Sequence, residues 1–296
     1  LHHFPYQRKP TQPGASPSGV KIPHRNSVFL GGDKIPEEKP PKSDDTPPAR
    51  ALIAALGLRT SQDGKLHLTE PLNILEVFCG PNKSASNAIR DIVSNTDMLN
   101  IITVDIEANY DPTLCVDVTK WNPSTAFRQT IHFAWFSPPC PEYSRAKTCG
   151  KRDLKTADTT AKATLRLISQ VRPIAWAIEN PTGLLRHRAF MRKLLQYLRP
   201  TTYCMYKGFH YRKETDIFTN IPCPLPHCRL TPCKNKQDTG KHPETAQRGP
   251  SANGTLGSPT EKLHRVPYEL VQKLFLFAHR DGDATPQKTA SGLLCR

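Results

Sequence analysis

The chain reads as one α/β domain built on a mostly parallel sheet, followed by a small irregular C-terminal segment. Three observations predict this. From Asn73 onward, short apolar runs alternate with helical patterns, the rhythm of successive βαβ units. A length of 296 residues is enough for one sizeable core plus flanking segments. Two stretches, residues 1–49 and residues 221–258, carry no apolar periodicity and therefore stand outside that core.

Residues 1–49 are dense in Pro, Lys, Ser and Asp, a composition that cannot bury enough surface to offset chain entropy, so a disordered basic segment is expected. A short helix is expected over 51–57, with Gly57 as its stop. Strands are predicted at 74–78, 101–105, 114–116, 132–136 and 174–179, each a brief apolar run. Helices are predicted at 84–94, 157–171 and 188–198; in the second, Ala157, Ala161, Leu165, Ile168 and Val171 recur at three- and four-residue intervals. Residues 221–258 are rich in Pro, Cys, His, Lys and Gly, and a last helix is predicted over 268–278. The domain plan is thus 1–70 as a disordered N-terminal segment and 71–220 as the main domain. Residues 221–258 form the Cys/His-rich segment, 259–280 a helical element completing the main domain, and 281–296 a tail.

The stretch richest in chemical meaning is Phe136-Ser137-Pro138-Pro139-Cys140-Pro141. Proline fixes φ and removes backbone donors, so three prolines around one thiol make a stiff loop at the end of a strand. The sulfur is aimed at something, although an ordinary strand exit with an incidental cysteine also fits this stretch taken alone. The next strand ends in Glu179-Asn180-Pro181. Both strands are apolar to their last residue, which places a thiol and a carboxyl on the same rim of the sheet. The first strand runs into Cys79-Gly80-Pro81-Asn82-Lys83-Ser84 before a helix, the place where an open α/β sheet binds a cofactor. Asp105 ends the second strand, where a carboxylate commonly holds a ribose hydroxyl. Asp117 ends the third; both acids also fit as turn or capping residues.

Taken together, Phe78-x-Gly80, Asp105-Ile106, Asp117-Val118, Pro138-Pro139-Cys140-x-x-x-Ser144 and Glu179-Asn180 resemble the DNA cytosine-5 methyltransferases, and 137–220 is most similar to phage-type members. The resemblance covers about residues 72–275. It implies a Rossmann-like, S-adenosylmethionine-dependent methyltransferase fold. It also implies that a thiolate at Cys140 attacks C6 of a flipped cytosine, with the thiolate favoured by basic neighbours such as Arg145. Glu179 is implied to hold a proton at N3. Phe78, Gly80, Ser84, Asp105, Ile106, Asp117, Val118 and Pro138 are implied to line the S-adenosylmethionine pocket. DNA is the implied partner, bound by a monomer. Two other readings stand beside this one: a catalytically weak or silent nucleic-acid-binding relative, and a tRNA cytosine-5 methyltransferase.

The chain departs from the family in three places. The turn after the first strand lacks the second and third glycines. The segment from Tyr211 to Asn220 has Asp216 where the family has a basic residue that helps hold the base, so Arg212 or Lys213 is expected to substitute. The target-reading segment is short. That segment has its own pattern, Cys223, Cys228, Cys233 and His242 at C-x4-C-x4-C-x8-H, four ligand types that could bind Zn2+ and fold a stretch too small for a core. His227 is a rival ligand, and a disordered basic loop with unpaired thiols is the alternative. Arg229, Lys234, Lys236, Lys241 and Arg248 are expected near phosphates.

Composition is consistent with this. The 41 Lys and Arg against 26 Asp and Glu give a net charge of +15, suited to a polyanion. Nine scattered cysteines argue against a disulfide framework and for a reducing compartment. No apolar run approaches the ~18 residues of a membrane span, and no signal-peptide core is visible at the start. An intracellular protein is expected, placed in the nucleus or another DNA-containing compartment if the source is eukaryotic, with no membrane partner.

Overall fold

The computed structural model describes residues 58–123, 130–246 and 256–280. The helix expected over 51–57, the segment before it, the tail from 281 and Arg248 lie outside these residues. The strands are β1 (Leu72–Val77), β2 (Leu99–Asp105), β3 (Leu114–Cys115), β4 (Phe133–Phe136), β5 (Ala175–Pro181), β6 (Leu198–Thr202) and β7 (Glu214–Thr219). They form one sheet in the order β3-β2-β1-β4-β5-β7-β6. The first five pair in parallel, and β7 runs antiparallel to both β5 and β6. The order reverses between β1 and β4, so the C-terminal ends of those strands open a crevice where such sheets bind ligands.

Both sheet faces are covered, which explains why the strands read as continuous apolar runs. On one face α1 (Ser84–Ile92) and α5 (Tyr268–Arg280) pack with Ile74, Phe133 and Tyr203. On the other, α2 (Leu154–Val171) packs with Leu75, Val77, Phe136 and Ile178. Helix α1 buries Ala85, Ala88, Ile89 and Ile92 on one stripe, and its buried first-turn amides are capped from β1. The buried Glu76 carboxylate accepts from Ala85 N (3.0 Å) and Ser86 N (2.8 Å) as well as from the Ser86 hydroxyl. Asp153 caps α2 by accepting from Thr156 N, and Arg172 in a left-handed conformation ends it. Gln272 of α5 donates to Ala88 O at 3.1 Å, tying the last helix to the first.

Three expectations change. Residues 58–70 belong to the folded unit: Leu66 and Leu68 are buried, and Leu66 bridges both Thr60 and Val93. The helix expected over 188–198 is a 3-10 run, Ala189–Tyr197, and Leu198 already begins β6. Pro200 fits that strand because β6 is the sheet edge. The segment after 220 contains a short helix, α3 (Lys234–Thr239), stopped by Gly240 in a left-handed conformation. Strands β8 (Glu244–Thr245) and β9 (Leu256–Gly257) form a separate parallel pair, and α4 (Thr260–His264) precedes α5.

Candidate active site

The parallel pairing of β4 with β5 sets Phe136 opposite Ile178, so the residues just beyond them emerge side by side. Asn180 Nδ2 donates to Pro138 O at 3.0 Å, joining the two strand exits behind the thiol and the carboxyl. Cys140 O accepts from Tyr143 N (3.0 Å) and Ser144 N (2.9 Å), which turns the chain sharply after the nucleophile candidate. Arg152 holds the rest of that loop by donating to Glu142 O, Ser144 O and Lys147 O. A second link runs between the two loops: Ser144 bridges Gly183, and Leu184 N donates to Tyr143 O at 2.9 Å.

Glu179 is buried at the end of β5, and two groups converge on it. The hydroxyl of Tyr203, fully buried, donates to Glu179 Oε1 at 2.8 Å. The Lys213 ammonium lies 4.0 Å from the same oxygen and 4.6 Å from the Tyr203 ring centroid. Leu263 O of α4 accepts from Lys213 Nζ at 2.9 Å, so the C-terminal region positions this cation. Burial pushes the Cys140 thiol above its ordinary pKa, the positive charge of Lys213 pulls it down, and Glu179 raises it further. The cation acting on the thiol is therefore Lys213; Arg145, expected in that role, is exposed.

Of the two residues expected to replace the family's basic group, Lys213 reaches the site and Arg212 does not. Arg212 pairs with Glu214 at 3.0 Å. Side chains alternate across a strand, so Asp216 faces away from the side that Lys213 and Thr215 present. Its carboxylate is buried against Arg186, with Arg186 Nε donating at 2.6 Å, and accepts from the Thr182 hydroxyl at 2.6 Å. Asp216 is thus engaged on the side of β7 opposite to Lys213 and Glu179. Sequence reasoning missed Tyr203, Glu76 and Gly183. The acid inside the apolar strand β1 was a readable signal for Glu76, whereas nothing local marked the other two.

Of the residues expected around S-adenosylmethionine, Phe78, Gly80, Asp105, Ile106 and Asp117 lie at or just beyond the ends of β1, β2 and β3. Phe78 adopts φ 59° and Gly80 φ 55°, so the chain turns sharply, and the space beside Gly80 is open. Asp105 Oδ2 accepts from Gly80 N (3.0 Å) and Oδ1 from Glu107 N (3.1 Å), which pins the turn to β2 while leaving lone pairs for a hydroxyl. Ile106 is 61 % exposed just beyond β2, an apolar surface for a flat ring. Asp117 accepts from Thr119 N and Oγ1, hydrogen bonds that hold its carboxyl below the usual range. Val118 and Pro138 are buried beneath. Ser84 departs from this set: its buried hydroxyl meets Val266 N at 3.5 Å. A strained aromatic, an open glycine, an exposed aliphatic and two carboxylates fit a nucleoside-bearing cofactor.

The four residues expected as metal ligands separate. Cys228, Cys233 and His242 come together with Cys204, all ligand atoms lying within 4.8 Å of one another. Cys223 does not join them; it is buried in the main core with Ile221 and Leu270. Proline at 224 and 226 carries the chain away from it before Cys228. His227 is also outside the group, its Nδ1 accepting from Arg229 N. Of the expected phosphate contacts, Lys234, Lys236 and Lys241 are exposed, and Arg229 pairs with Glu214 at 2.8 Å.

The strand order and the turn after β1 define a Rossmann-like α/β fold, with a thiol and a carboxyl at neighbouring strand exits. The chain's sequence is similar to that of one viral relative. It is 23% identical over 223 residues to the "Probable DNA (cytosine-5)-methyltransferase" of Frog virus 3 (isolate Goorha), a match covering 69% of this chain and 98% of the relative. No family model matches the chain. Among solved structures, the methyltransferase EhMeth of Entamoeba histolytica superposes with a TM-score of 0.38 at 16% identity, covering 54% of this chain and 57% of that one. A mutant DNMT2 of Spodoptera frugiperda gives 0.37 at 18% identity, covering 53% of each. The chain thus spans little more than half of these solved relatives, and at such scores the strand order alone carries the fold.

Proposed function

We propose that the chain transfers a methyl group from S-adenosylmethionine to C5 of cytosine in DNA, with Cys140 as the covalent nucleophile. The observation that supports this best is the convergence of Tyr203 and Lys213 on Glu179, one strand away from a thiol framed by prolines. C5 is a poor nucleophile in the free base. Addition of the Cys140 thiolate to C6 breaks the C5–C6 double bond and places its electron pair on C5, while the charge passes toward N3. Glu179 supplies the proton or hydrogen bond that offsets this charge, and Lys213 and Tyr203 hold its carboxyl in place. Lys213 also favours the thiolate. S-adenosylmethionine, when bound, would supply the electrophilic methyl that the C5 electron pair takes, its S–CH3 bond breaking to leave the neutral thioether. Transfer of the C5 proton to solvent water then leaves the C5–H bonding pair to re-form the C5–C6 double bond, and the Cys140 thiolate departs from C6.

Phe78, Gly80, Asp105, Ile106 and Asp117 are the residues we assign to hold the cofactor. A base inside a duplex cannot reach Cys140, so the target is taken as a flipped nucleotide, with Lys234, Lys236 and Lys241 near the backbone. The protein acts on this reading as a monomer. The experiment is transfer of a labelled methyl group to duplex DNA and, separately, to tRNA, with the product base identified by mass spectrometry. The expected product is 5-methylcytosine in DNA. Label in tRNA alone would replace DNA with RNA as the substrate, and no transfer to either would favour a silent binding protein.

A further inference from the structure

We propose that Cys204, Cys228, Cys233 and His242 form a structural Zn2+ site that fastens the segment after β7 to the edge of the catalytic sheet. The four groups come from separate stretches. Cys204 lies in the 3-10 turn after β6, Cys228 in the proline-rich loop, Cys233 at the start of α3 and His242 beyond its end. His242 Nε2 lies 3.2 Å from Cys233 Sγ and 3.6 Å from Cys228 Sγ. Tetrahedral Zn2+ with Zn–S of about 2.3 Å and Zn–N of about 2.0 Å sets its ligand atoms about 3.3–3.8 Å apart, close to this spacing. The three cysteines are buried, and they form a small cluster separate from both main cores, with Met205 as the partly buried apolar neighbour. Three thiols and an imidazole gathered without a surrounding core are what a metal would organise, and the sulfur-rich donor set suits Zn2+.

The site has a structural consequence. Cys228 N donates to Thr202 Oγ1 at 2.8 Å, and Thr201 Oγ1 donates to Pro226 O at 2.7 Å, so the loop is already seated on β6. A metal bound to Cys204 would also fix its neighbour Tyr203, whose hydroxyl holds Glu179. This second step rests on the role proposed for Glu179; the metal site itself does not.

The test is metal content of the purified full chain after reconstitution with Zn2+. About one equivalent is expected, retained by Cys223→Ser and reduced to less than about half by Cys204→Ser. Less than half an equivalent in the unsubstituted protein would overturn the proposal, as would loss of metal from Cys223→Ser with retention by Cys204→Ser. Should Cys204→Ser fail to fold, X-ray absorption of the unsubstituted zinc protein decides: three sulfur neighbours and one nitrogen support the site, and a shell of oxygen and nitrogen alone refutes it. Metal content is read without methyl transfer, so it stands or falls apart from the proposed activity.

Discussion

Gly183 is the point where the loops after Cys140 and Glu179 touch, and replacing it with alanine tests whether their contact sets the geometry of the proposed active site. A Cβ at this position would lie far inside 3.0 Å of Tyr143 O, a separation real Cβ atoms almost never show, and 3.1 Å from Tyr143 C. Both are backbone atoms, so no rotamer change relieves the clash. The loop after Cys140 must retreat from the loop after Glu179 by about 1 Å, and a misplacement of that size costs about 100-fold in rate. The same movement weakens the Leu184 N to Tyr143 O hydrogen bond, worth about 1 kcal/mol net. Overpacking adds about 1–3 kcal/mol. For a domain of this size each kcal/mol lowers Tm by about 2–4 °C. Gly183→Ala should therefore melt several degrees early yet remain folded by circular dichroism, with kcat reduced about 100-fold. A Gly183→Ala protein with unchanged kcat would refute the claim that this contact aligns the thiol and the carboxyl.

Three further outcomes follow from the same geometry. Tyr203→Phe removes one buried hydrogen bond to a carboxyl, worth about 1.5–3 kcal/mol, so kcat should fall about 10- to 150-fold with KM little changed; an unchanged kcat would remove Tyr203 from the site. Because burial holds the Cys140 thiol above its ordinary pKa, the rate of adduct formation should climb as pH rises through and beyond neutrality. Lys213→Met withdraws the cation that lowers this pKa, so the climbing limb should move to higher pH; a shift to lower pH would contradict the assigned electrostatics. Arg186→Met leaves the Asp216 carboxylate buried without its counter-charge and should destabilise the protein by about 3–5 kcal/mol in denaturant unfolding, much of it recovered by adding Asp216→Asn. Full stability of the single variant would mean that this pair is not formed.

The parts of the fold that could be read in advance share one property: their signals are local. Strands β1, β4 and β5 are buried on both faces and so appear as uninterrupted apolar runs, and Cys140 and Glu179 lie at or just beyond the ends of two of them. The misreadings arose where distant stretches meet. Arg212 and Lys213 are equivalent as charges, and the pairing of Arg212 with Glu214 left Lys213 to face Glu179. Asp216 stands in sequence where a basic residue is expected, and the alternation of β7 sets it against Arg186. Cys204 was overlooked because it lies before β7, outside the cysteine-rich segment that its thiol joins in space, while the nearer Cys223 is absorbed by the core. The run over 188–198 has helical spacing, but edge strand β6 begins at Leu198 and a 3-10 connection leads into it.

The central claim is that Cys140 bonds to C6 of the target base. Incubation with S-adenosylmethionine and duplex DNA containing 5-fluorocytosine tests it most directly, because fluorine at C5 blocks the proton loss that releases the enzyme. The unsubstituted protein should form a denaturation-resistant complex whose cross-linked peptide contains Cys140, and Cys140→Ser should form none. A complex that persists in Cys140→Ser, or a cross-link mapped to another residue, would contradict the account.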